Sequence, residues 1–196
     1  MDLFTSGMTD NQKINDLKEK YKKLLEVDQN GKGKFNLIKG AKKDYGNCVL
    51  LILPNVTESG FMNADYEKDT LMCILDEYDI SNYIICYAQP SKVYSASRKE
   101  VKKSRPLMND LIDIVQPKVI VAFDEVSAEL FMSQKPNIIN DHGCIVCNYS
   151  NIPVLLTFNA KYYVTRTGYE DDTYKKSILK EDWDEISKIY KSLIKE

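Results

Sequence analysis

The amino-acid sequence predicts a three-layer α/β/α sandwich around a mostly parallel, four-stranded sheet. Four short apolar segments alternate along the chain with segments of helical periodicity. Short apolar runs without polar alternation are typical of strands buried on both faces. Strands that alternate with helices predict a parallel sheet between two helical layers. The predicted strands span residues 48–54, 82–88, 118–123 and 152–157.

Three further segments carry the apolar spacing of amphipathic helices. Residues 15–27 place leucines and a tyrosine at helical intervals with lysines between them. Residues 107–115 continue the pattern until Pro117 ends it. Residues 183–194 predict a terminal helix, for which Asp182 is the expected N-cap.

Length and composition indicate one globular domain. The chain has 196 residues, of which 43% are hydrophobic and 29% charged, so disorder and collagen-like repeats are excluded. We expect a single domain over residues 1–196, with residues 1–47 as a helical and loop extension packed on the sheet. Five cysteines, an odd number at irregular spacing, favour reduced thiols.

Targeting signals are not evident in the sequence. No apolar stretch approaches the roughly 18 residues of a membrane-spanning helix, and residues 1–10 lack the basic and apolar regions of a signal peptide. We therefore expect a cytoplasmic protein with no membrane partner. For a viral protein, this location would be the cytoplasm of the host cell.

Charge is balanced overall but uneven along the chain. A formal net charge of −2 excludes a purely electrostatic, histone-like binder of nucleic acid. Residues 13–43 nevertheless contain ten lysines, whereas residues 170–184 are rich in acidic side chains. The lysine run fits either a solvated surface or a basic binding face.

The loops after the predicted strands are the expected ligand-binding segments, because ligands of parallel sheets bind at the carboxyl ends of the strands. These loops contain no P-loop, no G-x-G-x-x-G fingerprint and no G-x-S-x-G elbow. NTP hydrolysis, dinucleotide redox chemistry and a serine nucleophile on an elbow are therefore disfavoured.

Four groups of segments, taken in chain order, resemble the uracil-DNA glycosylase superfamily, most closely its iron-sulfur type, family 4. The resemblance covers about residues 49–193, and its strongest match is Pro117-Lys-Val-Ile-Val-Ala122. The matching segments are residues 51–55 with Glu58 and residues 60–63, then residues 83–86, then residues 104–108 with 117–124, and finally residues 155–164. The family pattern places a glycine at the position of Asp124.

The resemblance implies cleavage of the N-glycosidic bond of a flipped base. That chemistry needs a polar group that positions water, an Asn that reads uracil, an aromatic that stacks on it and a His that stabilises the leaving anion. Ile52, Cys86 and Asn159 stand at the water, Asn and His positions, and Phe61 keeps the aromatic. We therefore expect a catalytically degenerate member of the superfamily. The implied base pocket comprises Ile52, Pro54, Asn55, Phe61, Cys86 and Asn159.

Metal and redox sites are not expected. The resemblance places Pro90 and Ser104 where the family has two of its four cluster cysteines, so we predict no iron-sulfur cluster and no other cofactor. Cys144 and Cys147 form a C-x-x-C motif beside His142, but a second pair of zinc ligands is missing. Alternation in this segment predicts a hairpin strand, whereas a thioredoxin-type motif opens a helix.

Two segments are predicted to contact DNA. The loop after the fourth strand, which carries the duplex-entering wedge in the family, interleaves aromatics with cations, as suits base stacking and phosphate contact. The second segment begins at a predicted capping box, Ser97 with Glu100. The candidate residues are Arg98, Lys102, Lys103, Lys161, Tyr162, Tyr163 and Arg166.

Three functional hypotheses follow. The first is a degenerate glycosylase-like protein that binds DNA or a protein partner as an accessory component of replication. A composition rich in Lys, Ile, Asn and Tyr suggests an AT-rich genome and favours a viral source. The second hypothesis is an active glycosylase with altered base preference that uses Glu58 or Asn159. The third is a protein-binding module or inhibitor.

Overall fold

The computed structural model describes residues 9–21, 38–39, 46–55, 64–89, 98–158 and 171–194. Within these ranges the chain forms six strands and six helices. The strands are β1 (Ile38–Lys39), β2 (Val49–Asn55), β3 (Tyr83–Gln89), β4 (Val119–Phe123), β5 (Ile145–Tyr149) and β6 (Ile152–Thr157). The helices are α1 (Asp10–Lys20), α2 (Ala64–Glu77), α3 (Arg98–Val115), α4 (Asp124–Ala128), α5 (Ile138–Asp141) and α6 (Asp171–Leu193).

The described strands form one sheet in the order β1-β3-β2-β4-β6-β5. The four predicted strands are its central members β3, β2, β4 and β6, and they run parallel to one another. The prediction of four strands was wrong in number, because β1 and β5 add antiparallel edge strands. β1 has only two residues and leaves no sequence pattern, whereas β5 pairs with β6 as the predicted hairpin.

Alternate residues of the parallel strands enter two separate apolar cores. In β2, Leu50 and Ile52 face one core, and Leu51 and Leu53 face the other. This two-sided burial explains why the strands are continuous apolar runs. Each fully buried aliphatic side chain stabilises the fold by about 1.5–3 kcal/mol relative to exposure.

The helices cover both faces and confirm the predicted three-layer α/β/α sandwich. α1, α3 and α4 supply the first core, and α2 and α6 supply the second. Lys20 and Tyr21 bind Asp110 at 2.7 Å each and hold the end of α1 on α3. Within the part of the chain that the structure describes, none of the helices is both long enough and apolar enough to cross a membrane.

Two helices begin earlier than the sequence predicts. α1 begins at Asp10 because Thr9 and Gln12 form a capping box, five residues before the predicted start. α6 begins at Asp171, so the prediction that Asp182 is an N-cap was wrong. Asp182 lies inside the helix and is buried. Its side chain therefore contacts the sheet and does not cap the helix.

The helix α6 runs from the carboxyl edge of the sheet to its amino edge. Trp183 packs between Tyr78 and Phe123, with ring centroids 6.0 and 6.1 Å away. Seven residues later, the hydroxyl of Tyr190 donates to the carbonyl of Asn47, which precedes β2. The first half of α6 therefore lies towards the carboxyl ends of the strands and its last turns lie at the amino ends.

Candidate functional site

The strand order places the expected ligand site at the carboxyl ends of β2 and β4. After β2 the chain moves to β3 on one side, and after β3 it crosses back to β4 on the other side. Such a reversal opens a crevice beyond the strand ends, where ligands of open parallel sheets bind. The carboxyl edge of the sheet is therefore the candidate site.

The middle of β2 and β3, which we define by Ile52 and Cys86 and call the β2–β3 centre, is apolar and closed. Both residues are fully buried in the first core, and Cys86 Sγ lies 3.8 Å from Met108 Sδ. Burial raises the pKa of the Cys86 thiol well above its ordinary value, so the thiol stays neutral. Neither residue presents a polar atom to a ligand.

Two residues that close β2 belong to the predicted base pocket. Pro54 is buried, and Asn55 is the last residue of the strand, paired in register with Gln89 of β3. Their position at the switch point of the sheet agrees with the expected ligand edge. The side chain of Asn55 lies outside the described part of the structure.

At the end of β4 the backbone turns sharply into α4. Asp124 has a φ of 71°, in the left-handed region that favours glycine. Its Oδ1 accepts hydrogen bonds from the backbone N–H groups of Val126 at 2.8 Å and Ser127 at 3.3 Å. The carboxylate therefore caps the short helix. Its hydrogen bonds also offset the strain of a residue with a side chain at positive φ.

A charged cluster that the sequence did not predict lies at the end of β6. Thr157, the last residue of the strand, donates from Oγ1 to Asp182 Oδ2 at 2.7 Å. His142 Nδ1 lies 2.7 Å from Asp182 Oδ1. The Asp182 side chain is only 2% exposed, whereas that of His142 is 23% exposed. We call these three residues the Asp182 cluster.

The electrostatics of the cluster are set by two opposed effects. Burial raises the pKa of the Asp182 carboxyl above its ordinary value, because desolvation disfavours the charged form. The hydrogen bonds from His142 and Thr157 act in the opposite direction and stabilise the carboxylate. Asp182 is thus a buried acid whose charge depends on both partners.

Gly143 makes room for the cluster. Its φ is 69°, and a Cβ built at this position would lie 2.7 Å from Asp182 Oδ1. The Gly143 N–H donates to the carbonyl of Leu156, which fixes the backbone beside β6. Only a residue without a side chain combines this backbone conformation with this approach to the carboxylate.

An aromatic ring completes the end of β6. Phe158 follows Thr157 directly, and its ring centroid lies 5.0 Å from that of His142 at an interplanar angle of 45°. Both side chains are half-buried. The chain then enters residues 159–170, which lie outside the described residues.

The two catalytic candidates, the stacking aromatic and the cationic and aromatic loop after β6 all lie outside the described residues. They are Glu58, Phe61, Asn159, Lys161, Tyr162, Tyr163 and Arg166.

The predicted basic residues of α3 lie at the same edge. Val115 at the end of α3 accepts from the N–H of Gly46 near the amino ends of the strands, so the helix begins at the carboxyl edge. Lys102 and Lys103 are exposed in its early turns. Arg98 opens the helix, and its side chain is outside the described part.

The C-x-x-C motif lies in the β5–β6 hairpin, as predicted. Cys144 is exposed and precedes β5, and Cys147 is half-buried within it; burial raises the pKa of Cys147. Among the described residues, no group of three or more His, Cys, Asp or Glu side chains is placed to hold a metal ion.

No protein-family model matches the chain, and no curated protein sequence matches it significantly. Function is therefore inferred from the residues at the carboxyl edge.

Proposed function

We propose that the chain is a nucleic-acid-binding domain of uracil-DNA glycosylase-like architecture that does not excise uracil and serves as an accessory component of DNA replication. The observation that carries this proposal is the basic start of α3 at the carboxyl edge. Lys99, Lys102 and Lys103 are exposed there, at the edge at which parallel sheets bind ligands. Lysines in such a position neutralise phosphates.

The conformation of Asp124 supports the resemblance behind this proposal. The family pattern has a glycine after the strand that matches β4, and glycine tolerates positive φ without steric cost. Asp124 occupies that position with a φ of 71°. Aspartate is among the few other residues that adopt this conformation, particularly where its side chain bonds the local backbone.

The β2–β3 centre supports the absence of uracil excision. Reading the edge of uracil requires an amide, and positioning a water requires a polar or acidic group. Ile52 and Cys86 stand at these positions and are fully buried in the first core. Neither side chain is open to a base, and neither offers the polar partners that this chemistry requires.

A titration of labelled single- and double-stranded DNA across salt concentrations tests DNA binding. We expect dissociation constants of about 10⁻⁴–10⁻⁶ M at physiological salt, in the range of non-specific binding. The double variant Lys102→Ala, Lys103→Ala should lower the slope of log affinity against log salt by about one unit for each phosphate contact removed.

Lys188→Ala is the matched control. This lysine is 77% exposed, pairs with Glu185, and lies in the half of α6 that reaches the amino edge. Its removal changes the net charge without touching the carboxyl edge, so the salt slope should stay as in the wild type. Absence of binding at low salt, or equal slopes in all three proteins, would refute nucleic-acid binding and favour the protein-binding hypothesis.

An excision assay tests the second half of the proposal. Duplex DNA with one uracil, treated with the protein and then with alkali, should remain intact. Cleavage that rises with protein concentration would contradict the loss of uracil chemistry. Loss of that cleavage in Glu58→Gln or Asn159→Ala would instead assign it to an active glycosylase.

A further inference from the structure

We propose that His142 is a general base for the hydrolysis of a carboxylic ester that carries an apolar or aromatic group, with Asp182 and Thr157 as its positioning residues. This activity needs no nucleic acid. It therefore stands or fails separately from the proposed function.

The first step of the argument is the tautomer of His142. Asp182 Oδ1 lies 2.7 Å from Nδ1, and a carboxylate accepts hydrogen bonds but donates none. The proton of the neutral imidazole is therefore held on Nδ1. Nε2 keeps its lone pair and is the atom that accepts a proton from a reactant.

The second step is the fixed orientation of the carboxylate. Thr157 donates to Oδ2 and His142 to Oδ1, so each oxygen of Asp182 has a partner. The side chain is 2% exposed, and the Gly143 backbone lies against Oδ1. A buried aspartate held in this way fixes the tautomer and orientation of the histidine base in hydrolases.

The third step is the difference in exposure within the pair. His142 is 23% exposed while Asp182 is closed to solvent. A base must reach the water it activates, whereas the residue that orients the base gains strength from a water-excluded setting. The exposures of the two side chains fit these two roles.

The substrate class follows from Phe158. Its ring lies 5.0 Å from that of His142 and is half-buried, so an apolar surface adjoins the imidazole. Among the described residues, the charged groups next to His142 are acidic, namely Asp182 against it, Glu181 acting on Asp182 and Asp141 beside it in sequence. These carboxylates repel anionic substrates, which favours a neutral ester over a phosphodiester.

The reaction balances without a cofactor. Nε2 takes a proton from water while the water oxygen bonds to the ester carbonyl carbon. The bond from that carbon to the alcohol oxygen then breaks, and the imidazolium returns the proton to the departing oxygen. One ester and one water become one acid and one alcohol, and His142 is regenerated.

The test uses p-nitrophenyl acetate and the full chain, which has a single histidine. His142→Asn is the main variant, since its amide keeps a donor for Asp182 but has no basic nitrogen. We expect it to lower the hydrolysis rate about 10²-fold or more, in line with the contribution of general bases. The wild-type rate should also fall in D₂O, because a water proton moves in the step.

Cys144→Ser is the matched control for a competing nucleophile. Cys144 is an exposed thiol two residues from His142, and a thiol attacks activated esters by itself. The rate should be unchanged in this variant. A rate that depends on Cys144, or that equals the rate of free imidazole at the same concentration, would overturn the proposal. An acetylated His142 in the mass spectrum would also overturn it, by showing a nucleophile in place of a base.

Separate measurements test the positioning roles of Asp182 and Thr157. Asp182→Asn should move the imidazole proton from Nδ1 to Nε2 in nitrogen-15 spectra of the only histidine and lower the rate as far as His142→Asn does. Thr157→Val should lower the rate less, and Thr157→Ser should restore it because the hydroxyl returns. An unchanged tautomer in folded Asp182→Asn protein, or a Thr157→Ser rate equal to that of Thr157→Val, would refute these roles.

Discussion

Two parts of the same sheet are built in opposite ways. The β2–β3 centre consists of Ile52 and Cys86, which are buried among apolar side chains of the first core. The β6 end gathers a histidine, a threonine hydroxyl and a buried carboxylate at distances of 2.7 Å. Among the described residues, the buried polar cluster of the carboxyl edge therefore lies beside the last parallel strand.

The largest expected effect comes from Trp183→Ala, beside the Asp182 cluster. Trp183 is fully buried between Tyr78 and Phe123, and its removal should cost about 3–5 kcal/mol in the free energy of unfolding. Urea denaturation measures this loss in the free energy of unfolding. Trp183→Phe should cost much less, because Trp183 Nε1 has no hydrogen-bond partner among the described residues. Equal losses in both variants would contradict this packing role.

Cys86→Asn tests whether the β2–β3 centre is core or pocket. In a closed apolar site the introduced amide has no partner, so we expect a loss of about 1–3 kcal/mol in unfolding free energy. Cys73→Asn is the control, since Cys73 is exposed on α2 and the change there should stay within about 0.5 kcal/mol. Equal stability of the two variants would show that residue 86 faces an open pocket.

Gly143→Ala sharpens the description of the β6 end. Alanine at a positive φ costs about 1–2 kcal/mol, and its Cβ would also displace the Asp182 carboxylate. Gly46→Ala is the matched control, because its φ is 95° and no atom of the described residues lies within 4 Å of the added Cβ. Gly143→Ala should lose more stability than Gly46→Ala and shift the nitrogen-15 signals of His142. Equal losses with unchanged signals would argue against the close approach.

The smallest expected effect is a change in how the free energy of unfolding depends on pH in Asp182→Asn. Because burial raises the folded-state pKa of Asp182, its contribution to stability is fully present below the ordinary aspartate pKa and is lost as pH rises through the raised value. The variant has no such titration. Relative to Asp182→Asn, the wild type should therefore lose stability as pH rises through the acidic range above the ordinary aspartate pKa. Parallel unfolding free energies over this range would contradict the raised pKa.

The sequence predicts the layers of this fold better than its edges. Each predicted strand lies within one or two residues of an observed one, because burial on both faces leaves a continuous apolar run. β1 has two residues and carries no such pattern. The start of α1 was missed because Thr9 and Gln12, which fix it by side-chain bonds to the backbone, precede the first apolar residues of the helix.

The Asp182 cluster shows why the candidate site was harder to predict. His142 and Asp182 are 40 residues apart, and Thr157 and Asp182 are 25 apart. Local patterns make Asp182 look like a helix cap and place His142 beside a pair of cysteines. The contact exists only because α6 begins eleven residues before Asp182 and presents this side chain to the end of β6.

The length of α6 has a consequence for hydrogen exchange. The helix carries Asp182 near one edge of the sheet and, two turns later, Tyr190, whose hydroxyl bonds to Asn47 at the other edge. An opening that detaches α6 from the sheet would expose the Trp183 side chain and release His142 at the same time. Amides at the centre of this helix should therefore exchange as one cooperative unit with those of β4. The contact between His142 and Asp182 would then persist for as long as the second core stays closed.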